Sequence, residues 1–140
     1  MRVTKLVSDK IVTLRTSKYI IDWEKDGNSS LEKMFRDLIH PFWTNYIVLF
    51  QPRIPGSLLK LDFLNVNKKL VVEIDGEQHG KFNAFFHNKS RANYLSSIKR
   101  DLEKEKWCER NSIKLLRLNE EDLQCFSLKY IQKKFGISLV

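Results

Sequence analysis

Leu70-Val71-Val72-Glu73-Ile74-Asp75 constrains this chain more than any other stretch. A nearly continuous apolar run of this kind reads as a core strand, and Gly76 ends it. Upstream, Leu59 to Val66 alternates as a half-buried strand, and Asn67-Lys68-Lys69 supplies the turn between the two. The pair predicts a hairpin at the centre of the molecule. Each arm carries an acid in an apolar setting, Asp62 on the first and Glu73 on the second, where an ionised carboxylate is costly unless paired or bound to a cation. With the turn centred near Asn67-Lys68 the two acids fall roughly opposite each other, and their side chains can converge on one face.

Around this hairpin the remaining elements read in order. Residues 2–23 carry three short β-branched and aromatic runs, Val3 to Val7, Ile11 to Leu14 and Tyr19 to Trp23, which predict a small antiparallel meander. Ser29-Ser30-Leu31-Glu32 opens a helix with capping-box spacing, Leu31, Met34, Phe35 and Leu38 form its buried face, and Pro41 is expected to end it. Tyr46 to Gln51 reads as a strand and Ile54-Pro55-Gly56-Ser57 as a type II turn. Residues 76–90 read as a long loop, followed by a helix from Ala92 to Arg110 with Leu95, Ile98 and Leu102 as its core face. Ile113 to Leu118 is a further core strand, and Asn119 caps a last helix from Glu120 to Lys134, ended by Gly136.

The strands at 70–75 and 113–118, joined by a helical crossover, should run parallel. The expected fold is therefore α/β (α+β): a mixed sheet flanked by helices with an N-terminal β meander. Residues 1–28 would extend the same domain, and 29–140 would form its core.

With 140 residues, 42% of them hydrophobic, the chain can bury one core without disulfides. Cys108 and Cys125 stand apart with no CxxC spacing, which supports neither a disulfide framework nor a zinc ribbon. The longest apolar run, Tyr46 to Phe50, is far short of a membrane span, and Met1 to Val12 holds no long apolar region, so no membrane partner and a cytoplasmic location are expected. Lys plus Arg number 25 against 17 Asp plus Glu, a net charge of +8 that favours polyanions, nucleic acid first.

Oxygen ligands such as Asp62 and Glu73 suit Mg²⁺ or Mn²⁺, which share their shell with water and substrate phosphates. The competing reading makes both of them exposed edge-strand acids. Asp75 lies two residues beyond Glu73 on the same sheet face, as a third member or as a plain strand-end acid. His79, in Gly-Glu-Gln-His-Gly, is placed to act as a base. Glu32 has a competing role as a helix cap, and Asp101 as a solvent-facing partner of Lys104.

Taken together, Leu31-Glu32, Gln51, Leu61-Asp62-Phe63, Val72-Glu73-Ile74-Asp75-Gly76 with Gln78-His79, Arg100-Asp101 and Leu116-Arg117-Leu118-Asn119 resemble the PD-(D/E)XK nuclease superfamily. Within it they are similar to the very-short-patch-repair endonuclease-like branch, which includes small phage homing endonucleases. The resemblance runs from Ser29 to Asp122, about two thirds of the chain. It implies a restriction-endonuclease-like core, with Asp62 and Glu73 holding the metal beside the Ile74 carbonyl. Glu32 would steer the shell through water, while His79 and Asp101 complete the site. The superfamily's lysine two residues after the second acid is replaced by Asp75; Lys60, Lys99 or Lys104 could substitute, and His79 is the preferred choice.

On this basis the chain is expected to be a Mg²⁺-dependent endonuclease (Mn²⁺ as substitute) acting on double-stranded DNA, of a phage or mobile-element homing or repair type. Lys81, Lys89, Arg91, Arg100 and Lys104 would hold flanking phosphates, and Phe82, Phe85 and Phe86 would wedge a base step or fold back over the core. The small surface points to a homodimer or a fusion partner. The alternative is a non-catalytic nucleic-acid-binding or Holliday-junction-recognising module on the same fold.

Overall fold

The computed structural model describes residues 1–25, 29–76 and 87–140, the side chains of 87–90 excepted. An N-terminal ribbon of β1 (Arg2–Thr4) and β2 (Ile11–Thr13) is followed by a helical turn α1 (Thr16–Tyr19) and by α2 (Ser30–Trp43). Then come β3 (Val48–Phe50), β4 (Phe63–Asn65), β5 (Leu70–Ile74), α3 (His87–Arg110) and β6 (Lys114–Leu118), and α4 (Glu120–Gln124) and α5 (Leu128–Phe135) close the chain.

The fold is mixed α/β, as its element order predicts. A four-stranded sheet has the order β3-β4-β5-β6, antiparallel except for the last pair, and β1 and β2 pair separately. The β5–α3–β6 crossover thus joins parallel neighbours. Within the hairpin Phe63 faces Val72 and Asn65 faces Leu70, and Lys69 closes the turn at φ +48°.

Alternation along the strands gives the sheet two apolar faces. One carries Val48, Phe63, Val72, Leu116 and Leu118 against Phe35, Ile39 and Trp43 of α2 and Ile131 of α5. These three residues of α2 recur every four positions, one stripe of a helix, and the Trp43 indole N–H donates to the Leu139 carbonyl at 2.7 Å. The other face carries Leu49, Leu64 and Val71 against Trp107 and Cys108 of α3 and Val3, Leu6 and Leu14 of the N-terminal segment. Segment 1–14 therefore packs into the same layer as α3. The Trp107 indole N–H donates to the Thr4 carbonyl at 2.9 Å, and Asn111 Oδ1 accepts from the Thr4 N–H at 2.7 Å.

Several expectations are corrected. Tyr19 to Trp23 is not a third strand of the meander; Ile20 makes a single bridge to Leu49, and the Ile21 N–H reaches the Val48 carbonyl. Pro41 does not end α2, which runs to Trp43: the ring costs one backbone bond near the helix end, while Thr44 Oγ1 donates to the His40 carbonyl and Trp43 is fully buried. Met34 is 37% exposed and leaves the expected face.

On α3, Leu95, Ile98 and Leu102 are exposed at 55%, 39% and 57%, so the core face is a different one, centred on Trp107 and Cys108. The helix also begins at His87, inside the expected loop. The last expected helix is two, because the chain breaks at Cys125 to Ser127 and the Ser127 hydroxyl accepts from the Tyr130 N–H to start α5.

Candidate active site

Continuing the β4–β5 register by one step sets Asp62 opposite Glu73, as the turn position predicts. The two are laced through each other's main chain. The Asp62 N–H donates to Glu73 Oε2 at 2.7 Å, and the Ile74 N–H donates to Asp62 Oδ2 at 2.8 Å. On the other side, the Gln51 N–H donates to the Asp62 carbonyl at 2.9 Å, and Gln51 itself holds φ +51°. That left-handed backbone costs a non-glycine residue energy, and it lies at a break in strand alternation. Leu61 and Leu64 belong to the same apolar cluster although they are three positions apart, an odd spacing that regular alternation would put on opposite faces. The bend at Asp62 is where the ladder changes face.

One positive charge answers this pair directly. Lys104 Nζ of α3 donates to Glu73 Oε1 at 2.6 Å, with the two side chains only 17% and 5% exposed. Lys68 and Lys69 are remote at the turn, and the internal cation arrives instead from 31 residues away in sequence. Arg117, paired in register with Glu73 on β6, donates to Glu105 and to the Asp101 carbonyl.

Among the described residues, the acids of the site still act on one another. Burial, then the charge of Glu73, push the Asp62 carboxyl up to about 8, against the opposing Ile74 N–H. Glu32 also contributes to that rise. Burial and Glu73 likewise raise Glu32, with Arg36 opposing. Glu32 Oε2 is buried without a hydrogen-bond partner among the described residues. The expected capping box at the start of α2 does not form, since Ser29 makes no side-chain cap. Glu32 is therefore an acid close enough to sense the pair and free of cap duty.

A divalent cation fits this setting on two observations: the orphaned Glu32 oxygen and the two carboxylates of Asp62 and Glu73 set opposite each other on adjacent strands. Among the described residues no group of three or more His, Cys, Asp or Glu side chains is placed to hold a metal ion. Asp62 and Glu73 would be the protein's direct ligands, with water and phosphate oxygens completing the shell, the usual habit of Mg²⁺.

The other sequence candidates are distributed as follows. Asp75 follows β5, half-buried, and its N–H extends the ladder to the Leu118 carbonyl at 2.8 Å. Asp101 is half-buried on α3, and Lys104, its expected partner, is bonded to Glu73 instead. Arg91 and Arg100 are exposed on the same helix. His79, Lys81, Phe82, Phe85 and Phe86 lie outside the described residues, as does the side chain of Lys89.

The sequence offers Lys104 as a phosphate contact, a partner of Asp101 or a substitute lysine, but not as the partner of Glu73. Cys108 carries no local signal. Its thiol lies close enough to feel Glu73, and burial with that charge pushes it up to about 12. It is inert packing beside the acids. No family model, curated protein or solved structure matches the chain. No helix among the described residues is long and apolar enough to cross a membrane.

Proposed function

We propose that the chain is a metal-dependent endonuclease that hydrolyses phosphodiester bonds in double-stranded DNA at the Asp62–Glu73 pair. The observation that carries this reading is two mutually opposed, backbone-laced carboxylates on adjacent strands, with a third, half-buried acid, Glu32, whose Oε2 has no hydrogen-bond partner among the described residues. The net charge of +8 supports a polyanionic substrate. A bound Mg²⁺ or Mn²⁺ would supply Lewis-acid polarisation of the phosphate and a lowered pKa for the attacking water.

This chain's own residues do the rest. Asp62 and Glu73 are fixed in orientation by the N–H groups of Ile74 and Asp62, which leaves little rotamer freedom to lose on binding a cation. Lys104 provides a fixed ammonium beside Glu73, suited to steadying a phosphate oxygen. His79 is the assigned proton acceptor, with Asp101 as its orienting acid and Asp75 as a further acid at the strand end. Arg91 and Arg100 would contact flanking phosphates.

The test is incubation of purified protein with supercoiled plasmid in Mg²⁺, Mn²⁺ or EDTA. Cleavage that depends on the metal and is lost in Asp62→Asn is expected. Full cleavage after exhaustive chelation would overturn the assignment of Asp62 and Glu73 as ligands. A protein that binds DNA tightly and never cuts it would instead be the non-catalytic module.

A further inference from the structure

The β3–β4 connection continues past the acids as an irregular ladder. The Leu61 N–H donates to the Pro52 carbonyl at 2.9 Å, Arg53 bridges Lys60, and the Ile54 N–H donates to the Leu59 carbonyl at 2.8 Å. Its tip is the expected turn, with Ser57 N–H on the Ile54 carbonyl and Gly56 at φ +78°. The N-terminal segment packs on this tip. Leu14 and Ile54 share one buried cluster, and a side chain at Gly56 would come within 3.2 Å of the Lys5 aliphatic chain.

Between the two lies a cavity of about 320 Å³. Arg15, Lys18 and Arg53 line it together with Tyr19, Ile54 and Pro55, and no carboxylate does. The three basic residues are exposed, and no ion pair neutralises them among the described residues. Lys18 Nζ sits 5.5 Å from the Tyr19 ring centroid. Three unpaired cations around an apolar and aromatic floor repel one another until an anion enters, and the floor suits the sugar and base of a nucleotide better than a free inorganic ion.

We infer that this cavity holds the sugar-phosphate backbone of the DNA strand beside the scissile bond, so that segment 13–19 acts as a substrate clamp. The inference rests on the nuclease reading for its position relative to the cut. Arg53 and Lys60 stand two ladder steps beyond Gln51 and Asp62, roughly 7 Å at the rise of an antiparallel strand. That equals about two base-pair rises along the axis of duplex DNA at roughly 3.4 Å each. Arg15 and Lys18 reach the same point from the N-terminal segment, which gives residues 1–28 a task in binding.

The test measures binding of a labelled duplex in EDTA, where nothing is cut, as a function of salt. Each phosphate contact contributes a slope of about 0.9 in log K against log salt, so replacing Arg15, Lys18 and Arg53 together by Gln should lower the slope by about 2 to 3. Arg53→Gln and Lys18→Gln alone should each lower it by about 1, which serves if the triple variant does not fold. A triple variant with wild-type slope and affinity would overturn the clamp, as would wild-type protein that binds no duplex.

Inorganic phosphate and a mononucleotide are run as competitors. If either displaces the duplex as well as an unlabelled duplex does at equal phosphate concentration, the cavity is a small-anion site and the strand assignment fails. Plasmid cleavage is scored separately. Cleavage with unchanged salt slopes sinks the clamp and spares the nuclease, whereas altered slopes without cleavage sink the nuclease and spare the clamp.

Discussion

Ser29-x-x-Glu32 and Asn119-x-x-Asp122 share one spacing, an N-cap residue with an acid three positions on, yet only the second closes into a capping box. Asn119 Oδ1 accepts from the Asp122 N–H at 2.8 Å, and Asp122 Oδ2 accepts from the Asn119 N–H at 3.0 Å. Asp122 is then bound by Tyr130 Oη and Lys134 Nζ, and although burial opposes this, these donors hold its carboxyl below the ordinary value. Glu32 Oε2 has no such donor among the described residues. Burial and Glu73 push it up, and Asp62 beside it further still. Asp122 is buried and Glu32 half-buried with one buried oxygen, and among the described residues donors surround the first while that oxygen of the second meets none. A fold that satisfies one carboxylate so fully at a helix start leaves an oxygen of the other unsatisfied beside the Asp62–Glu73 pair, where the proposed cation would act.

The comparison breaks first if the acids near the sheet do no chemistry. Asp62→Asn and Glu73→Gln should lower cleavage by orders of magnitude while duplex affinity holds or rises, since shape stays and phosphate repulsion falls; plasmid nicking and fluorescence anisotropy read the two effects. Equal losses in both assays would turn the pair into a structural feature.

Lys104→Met probes the counter-charge that Glu73 meets among the described residues. Leaving a buried partner alone should cost about 3 kcal/mol in metal-free urea unfolding. Added Mn²⁺ should recover part of it, because a divalent cation replaces the missing charge. Recovery as large in a Lys104→Met, Asp62→Asn double variant would place the cation elsewhere.

The two helix starts differ by a smaller amount. Asn119→Ala should destabilise by about 1 kcal/mol, the ordinary cost of a lost N-cap, whereas Ser29→Ala should be nearly silent because that hydroxyl caps nothing. Thermal melts of the two variants check this, and equal losses would mean that the box at Ser29 forms in solution.

The pH response should have opposite signs at the two sites. Asp62, with its folded pKa raised to about 8, favours folding fully below its ordinary 3.8 and loses that contribution as pH rises through 8. Asp122, held low, favours folding above 3.8 and loses the contribution as pH falls through its depressed value. Without metal, the melting temperature should drop by a few degrees between about pH 6 and about pH 9, and Asp62→Asn should flatten that drop while leaving the acid limb intact.

Local chemistry made much of this legible. The Asn67-Lys68-Lys69 turn fixed which residues of the hairpin face each other, so the Asp62–Glu73 juxtaposition followed from counting. Asn119 and Gly136 announced helix ends by side-chain capping and by a left-handed φ of +69°. What stayed hidden was decided by tertiary contacts. Leu95, Ile98 and Leu102 have the right period for a core face, but the sheet selects Trp107 and Cys108, because the indole can bond Thr4 while it packs. Lys104 shares that side of the helix, and its ion pair to Glu73 has no signature at a separation of 31 residues. Nor could the failure of the Ser29 box be read from spacing, because it depends on the buried acids Glu32 meets in three dimensions.

The anchoring of α3 gives the molecule a gradient in how long its amides stay protected. At the C-terminal end Trp107 and Cys108 are buried, Asn111 binds Thr4, and Arg110 donates to the carbonyls of Leu6 and Ser8. Positions 91–93, 95–96 and 98–100 are exposed. Opening of the first part costs few apolar contacts, whereas opening of the last turn must also release the β1–β2 ribbon. In deuterated water the amides near Leu95 should exchange through local fraying, and those near Trp107 only when the whole fold opens. Lys104 lies between them, so the hold on Glu73 is set where α3 passes from loosely to firmly held backbone.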